Sequence, residues 1–188
     1  MVEKYFNTLF LPVVLAAVVT GCGAANRPTL GSGTYTGKPP VITHYFAPMQ
    51  GTYGDAMRIY LAAEDPESDL LRIAVQVIQT GYGTYPTGWT FLKSEYRKGF
   101  VGYLQWNTFS PYAQYLPEWT QLTIRVSVFD QAGNESNEVA FPYEFVTGAF
   151  SLPPLSPPFD RGGIPRLGYI DVKLFNPHQM GGDNIFER

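Results

Sequence analysis

The chain of 188 residues has one cysteine, two histidines and no block of lysines and arginines. Each shortage closes off a kind of chemistry. A lone cysteine, Cys22, cannot form an intramolecular disulfide, so stability has to come from a packed core. His44 and His178 stand far apart in sequence, and no His or Cys pair has metal-ligand spacing. Charged residues make up only 15%, and the formal net charge is −3. Without a basic patch the chain has no means of neutralising a row of phosphates, so nucleic acid is not an expected partner. No Gly-x-Ser-x-Gly nucleophile elbow occurs. Sixteen acidic residues offer no carboxylate pair singled out by spacing. These shortages together predict a protein that is not an enzyme.

The amino-terminal segment is distinctive. Phe6 to Val19 is apolar apart from Asn7, Thr8 and Pro12, and Lys4 precedes it. A charged start, a short apolar core and then small residues is the order of a secretory signal. The run falls short of the about 20 apolar residues that a membrane-spanning helix needs. It leads into Val19-Thr20-Gly21-Cys22, which resembles the lipobox of bacterial lipoproteins. The resemblance implies cleavage before Cys22, a diacylglycerol thioether on its sulfur and acylation of the new amino terminus. A thiolate is the nucleophile such a lipid transfer requires. More than one acyl chain is needed for stable anchoring. Gly23 rather than an aspartate follows the cysteine, which by the same resemblance favours the outer membrane where the envelope has one. Residues 1–21 are thus expected as a signal peptide and 22–38 as lipid anchor and flexible tether, rich in Gly and Thr.

Thirteen Tyr, 13 Phe, 19 Gly and 16 Pro predict a β-rich, turn-rich body. From Val41 onward, apolar residues recur with period two. Met57, Ile59 and Leu61 share one face, as do Leu71, Ile73, Val75 and Val77. Leu122, Ile124, Val126 and Val128 alternate with Thr123, Arg125 and Ser127, and Val139, Phe141, Tyr143 and Phe145 share a last face. Such alternation marks sheets that cover a core on one side. Pro142 cannot donate to a ladder, which places its strand at an edge or a bulge. The fold class expected is all-β, a two-sheet sandwich of about seven strands over residues 39–146. "AAEDPESDLLRIAVQV" and "IRVSVFDQAGNESNEVAF" resemble the corner and hairpin of bacterial immunoglobulin-like, fibronectin-III-like and cadherin-like domains. Without paired cysteines the chain is not of the antibody type. Residues 147–188 form a Pro-rich extension, in which "LPPLSPP" is expected as a stiff connector and 169–175 as a short strand.

Four sets of residues are candidates for function. Glu64, Asp65, Glu67 and Asp69 form an acidic corner. Calcium takes six to eight oxygen ligands, so Asp65 and Asp69 are candidate ligands, while the same residues equally suit a plain turn. Asp130 and Asn134 suit turn bonding, with Gly133 at a positive φ. Tyr82, Tyr85, Trp89, Tyr112, Tyr115 and Trp119 lie in or beside Gly/Pro-rich loops. Tyr85, Trp89 and Trp119 are candidates for stacking on sugar rings, or else they close the ends of the sandwich. Tyr169, Ile170, Val172 and Leu174 form an apolar strand face that needs a partner strand, either in its own sandwich or on another protein. The resulting expectation is a lipid-anchored, non-enzymatic structural or accessory protein of the bacterial envelope that binds another envelope protein. The alternative is a glycan-binding or adhesion module, calcium-stabilised at the acidic corner. No cofactor is expected beyond the lipid on Cys22 and that calcium.

Overall fold

Period-two alternation is realised as strands stacked in two layers. The structure is a computed structural model and describes residues 37–113, 116, 120–148, 151 and 153–176. The expected signal peptide over residues 1–21, Cys22, Tyr115, Trp119 and His178 lie outside the described residues. The strands are β1 (Val41–Phe46), β2 (Gln50–Gly51), β3 (Ala56–Glu64), β4 (Leu70–Gln79) and β5 (Gly83–Thr84). They continue with β6 (Gly88–Phe91), β7 (Gly99–Asn107), β8 (Gln121–Asp130), β9 (Val139–Phe145) and β10 (Arg166–Ile170). One sheet has the order β1-β3-β7-β10, and the other β2-β9-β8-β4-β5 with β6 also on β4. Among the described residues this is an all-β, two-sheet sandwich.

The core lies where the expected faces meet. Ile59, Leu61, Ile73, Val77, Leu104, Ile124 and Val128 are fully buried between the sheets. Val139, Phe141, Tyr143 and Phe145 join them from β9. Beyond Glu144 and Phe145, which pair with β2, the outer side of β9 carries no strand among the described residues. Pro142 therefore sits on an open edge, where its missing N–H does no harm.

Four details depart from expectation. A register shift between Leu70 and Arg72 turns Leu70 into the core and leaves Leu71 half-buried, because a bulge adds one residue and flips the alternation. "WTFLKSEY", Trp89 to Tyr96, reads as one strand in sequence, but the strand stops at Phe91 and Ser94–Tyr96 forms a 3₁₀ turn. Ser127, expected outside, is buried. It lies in a row Trp89–Ala74–Ser127 across β6, β4 and β8, where two small side chains neighbour the large indole. β3 is buried on both faces: Tyr60 and Ala62 face away from the main core, yet Phe159 covers them.

That last detail corrects the reading of the Pro-rich segment as a connector leading away. Phe159 packs on Tyr60 with ring centroids 5.6 Å apart. Leu155 and Ile164 join the same patch, so the segment runs across the outer face of the first sheet. The chain then enters that sheet as β10, parallel to β7, with Ile170 opposite Trp106. Of the two options open to the expected strand at 169–175, the structure takes the first: it pairs within its own sandwich, and the ladder ends at Ile170. Ile170, Val172 and Leu174 are buried in the core and unavailable to a partner; Tyr169 alone of the four is exposed. The reason is hydrophobic: three alternating apolar side chains find the open end of the core before they find another protein.

Candidate functional site

The acidic corner is built by two tight turns brought side by side. Asp65 follows the end of β3, and the backbone reverses through Pro66, Glu67 and Ser68 to Asp69. Ser68 adopts φ 62°, and its N–H donates to the Asp65 carbonyl at 3.3 Å. The Asp69 N–H donates to Asp65 Oδ2 at 2.7 Å. β8 pairs with β4 and ends at Asp130, so it delivers Asp130 to the same place. The Gln131 N–H donates to the Asp69 carbonyl at 3.0 Å and fixes the two turns together.

Asp130 is held by its own loop. Its Oδ1 accepts the Asn134 N–H at 2.8 Å, and its Oδ2 accepts Asn134 Nδ2–H at 2.7 Å. Gly133 takes the positive φ, 93°, that this turn requires. The result is a carboxylate triad: one oxygen each from Asp65, Asp69 and Asp130 falls within 4.8 Å of the others. Asp65 is 4% exposed and Asp130 3%, while Asp69 is partly exposed. Asp65 Oδ1 and Asp69 Oδ1 are buried with no hydrogen-bond partner. Among the described residues no lysine or arginine pairs with the triad. Burial pushes the Asp69 carboxyl above the usual carboxylate range, followed by hydrogen bonding to Asp65 and the charges of Asp65, Asp130 and Glu67. The structure thus brings the two candidates, Asp65 and Asp69, together and adds Asp130. Asp130 is remote from both in sequence, so only the β4–β8 pairing reveals it as part of the cluster.

The aromatic candidates separate. Tyr85 is 6% exposed, too buried to stack on a sugar. Its hydroxyl donates to Gln79 Oε1 and accepts the Phe175 N–H at 2.9 Å. Gln79 Nε2–H donates to the Phe175 carbonyl at 2.7 Å, so both backbone polar groups of Phe175 are satisfied by this pair. Tyr82 and Tyr112 stack on the Phe175 ring, each at 5.0 Å. These aromatics close the end of the sandwich over the tail. Trp89 is exposed on the outer face of β6, with the Arg72 guanidinium 4.1 Å from its ring centroid, so one face of the indole is already occupied. His44 is exposed on β1 and bonds its neighbour Thr43 at 3.2 Å.

Burial pushes the Tyr85 phenol up to about 12, against the opposing bond from the Phe175 N–H, and it does the same for Tyr143. A phenol whose folded value is raised above 10.0 stabilises the fold fully below pH 10. That contribution disappears as the pH climbs toward about 12, because the unfolded chain ionises first. Urea midpoints should therefore fall across this window, and Tyr85→Phe should lose less than wild type between its two ends.

A largely apolar cleft lies between residues of β1, β8 and β9. It has a volume of about 920 Å³ and follows the open edge of β9, lined by Tyr45, Met49, Phe141, Pro142 and Tyr143 among others. Tyr45 meets Phe141 edge-on at 5.7 Å, and Tyr45 and Met49 are both exposed.

No protein-family model matches the chain, and no curated protein matches it. Among solved structures it is similar to the PKD domain of an M14-like peptidase from a Thermoplasmatales archaeon. That match has 15% identity over 60% of this chain and 100% of that one, with a TM-score of 0.40. It is also similar to the CARDB domain of a Pyrococcus furiosus protein solved in complex with di-metal ions. Here identity is 11% over 58% of this chain and 94% of that one, with a TM-score of 0.33. A third likeness is to a Pseudomonas fluorescens alkylpurine DNA glycosylase bound to DNA containing an abasic site analogue. It has 14% identity over 61% of this chain and 32% of that one, with a TM-score of 0.36.

Proposed function

We propose that this protein is a lipid-anchored, non-enzymatic interaction module of the bacterial envelope. The observation that carries the reading is the cleft along the open edge of β9, whose exposed Tyr45 and Met49 flank buried Phe141 and Tyr143. Aromatic and thioether side chains around a concave apolar surface suit the anchor residues of a protein partner. Pro142 interrupts the donors of that edge, so side chains inserted into the cleft, rather than a long added ladder, would provide the affinity. The lipobox Val19-Thr20-Gly21-Cys22 supports the location: the triacylated Cys22 would hold the sandwich at the membrane through the tether that follows. The partner is accordingly another envelope protein, and the outer membrane is the favoured site.

Two measurements test this reading. Cys22→Ser should move the protein from membrane to soluble fractions and stop incorporation of labelled fatty acid. A variant still membrane-bound and still labelled contradicts the anchor. Capture from native membranes should yield one stoichiometric protein, reduced roughly tenfold by Met49→Glu, as for loss of an interface anchor. Undiminished capture by Met49→Glu and by Tyr45→Ala would place recognition elsewhere.

A further inference from the structure

We infer that Asp65, Asp69 and Asp130 form a binding site for one hard divalent cation, of which calcium is the best match. The inference is independent of anchoring and of the cleft. Three carboxylates converge within 4.8 Å, and two of them present buried oxygens that no N–H or hydroxyl group satisfies. An ionised carboxylate oxygen withdrawn from water without a partner is strongly unfavourable, and protein interiors rarely leave one so. Asp65 is almost completely buried, so its Oδ1 has no recourse to bulk solvent. With no lysine or arginine paired to the cluster among the described residues, a cation placed between them would satisfy both oxygens at once.

The chemistry of the donors selects the ion. All the side chains of the cluster offer oxygen, with no histidine or thiolate among them, which favours calcium over zinc. The partly exposed Asp69 gives the ion a way in and leaves room for water to complete its shell. Asp130 is oriented in advance by its two bonds from Asn134, so one ligand is ordered before binding. A bound ion would tie the turn between β3 and β4 to the end of β8, strengthening the junction now made by the Gln131–Asp69 backbone bond.

The test uses the full-length chain in detergent, with calcium chloride or EDTA and no other divalent ion. Thermal melting in calcium should exceed that in EDTA by about 5 °C or more, as expected for a ligand that binds only the folded state. Calorimetric titration should show one site. Asp65→Asn and Asp69→Asn should each abolish the calcium response. In EDTA both should melt at or above wild type, because each removes one of three crowded charges; a purely structural carboxylate would destabilise the fold when replaced. Asp160→Asn, exposed and outside the cluster, should keep the full response. Equal melting of wild type in calcium and EDTA, with no heat of binding, overturns the proposal. So does a calcium response that survives both Asp65→Asn and Asp69→Asn.

Discussion

A chain ending at Asp160 should fail to unfold cooperatively. The truncation removes β10 together with Ile170, Val172 and Leu174, all of them buried in the core between the sheets. Removing a single such side chain down to alanine typically costs about 2–5 kcal/mol. Three at once approach the whole net stability of a domain, on the order of 5–15 kcal/mol. The loss goes beyond area. The Trp106 indole N–H, which donates to the Val172 carbonyl at 3.0 Å, is left without its acceptor in a buried position. β7 becomes an unpaired edge, and Gln79 and Tyr85 lose the Phe175 backbone that satisfies them. Near-ultraviolet circular dichroism during a thermal ramp is the measurement. A truncated chain that melts cooperatively within about 5 °C of the full chain would show that the tail is only laid on the sandwich.

Trp106→Ala should be the most damaging single substitution in the first sheet, at about 3–5 kcal/mol. Trp106 is fully buried on β7, facing Met57 across one ladder and Ile170 across the other. It therefore joins the tail to the sandwich by packing and by hydrogen bonding together. Trp106→Phe separates the two effects: it retains most of the apolar contact but removes the donor to Val172, which should cost about 1–3 kcal/mol for the unsatisfied carbonyl. Val101→Ala, on the outer face of the same strand and exposed, should cost less than about 1 kcal/mol. Urea titration of the three variants gives the order. Equal losses for Trp106→Ala and Val101→Ala would contradict the placement of β7 between β3 and β10.

Much of the sandwich was legible because period-two patterning reports on one strand at a time. β8 is the clearest case: Leu122, Ile124, Val126 and Val128 alternate in sequence and are buried together in the structure. Pro142 is another, since its missing N–H calls for an edge or a bulge wherever the strand lies, and the structure supplies the edge. Patterning failed where burial came from outside the strand. Tyr60 looks outward in sequence, and it is buried because Phe159, far along the chain, lies on it together with Phe46 and Tyr103. Leu71 and Leu70 exchange roles through a bulge that neither residue announces. Tyr85 reads as a loop aromatic until the tail supplies the Phe175 backbone to its hydroxyl.

The amino-acid sequence by itself determined the fold class, the main strands and their inward faces, the lipobox-like tetrad and the turn chemistry of Asp130, Gly133 and Asn134. These follow from local rules, in which a residue's neighbours within a few positions decide its conformation. Only the tertiary structure decided that the tail completes the core, that Tyr85 is a clamp rather than a surface, and that Asp130 joins Asp65 and Asp69. Each of these depends on strand order and register, which bring distant segments within a few ångströms. An alternating pattern states which way a side chain points but not which strand lies beside it, since every apolar face in the sequence could cover any other.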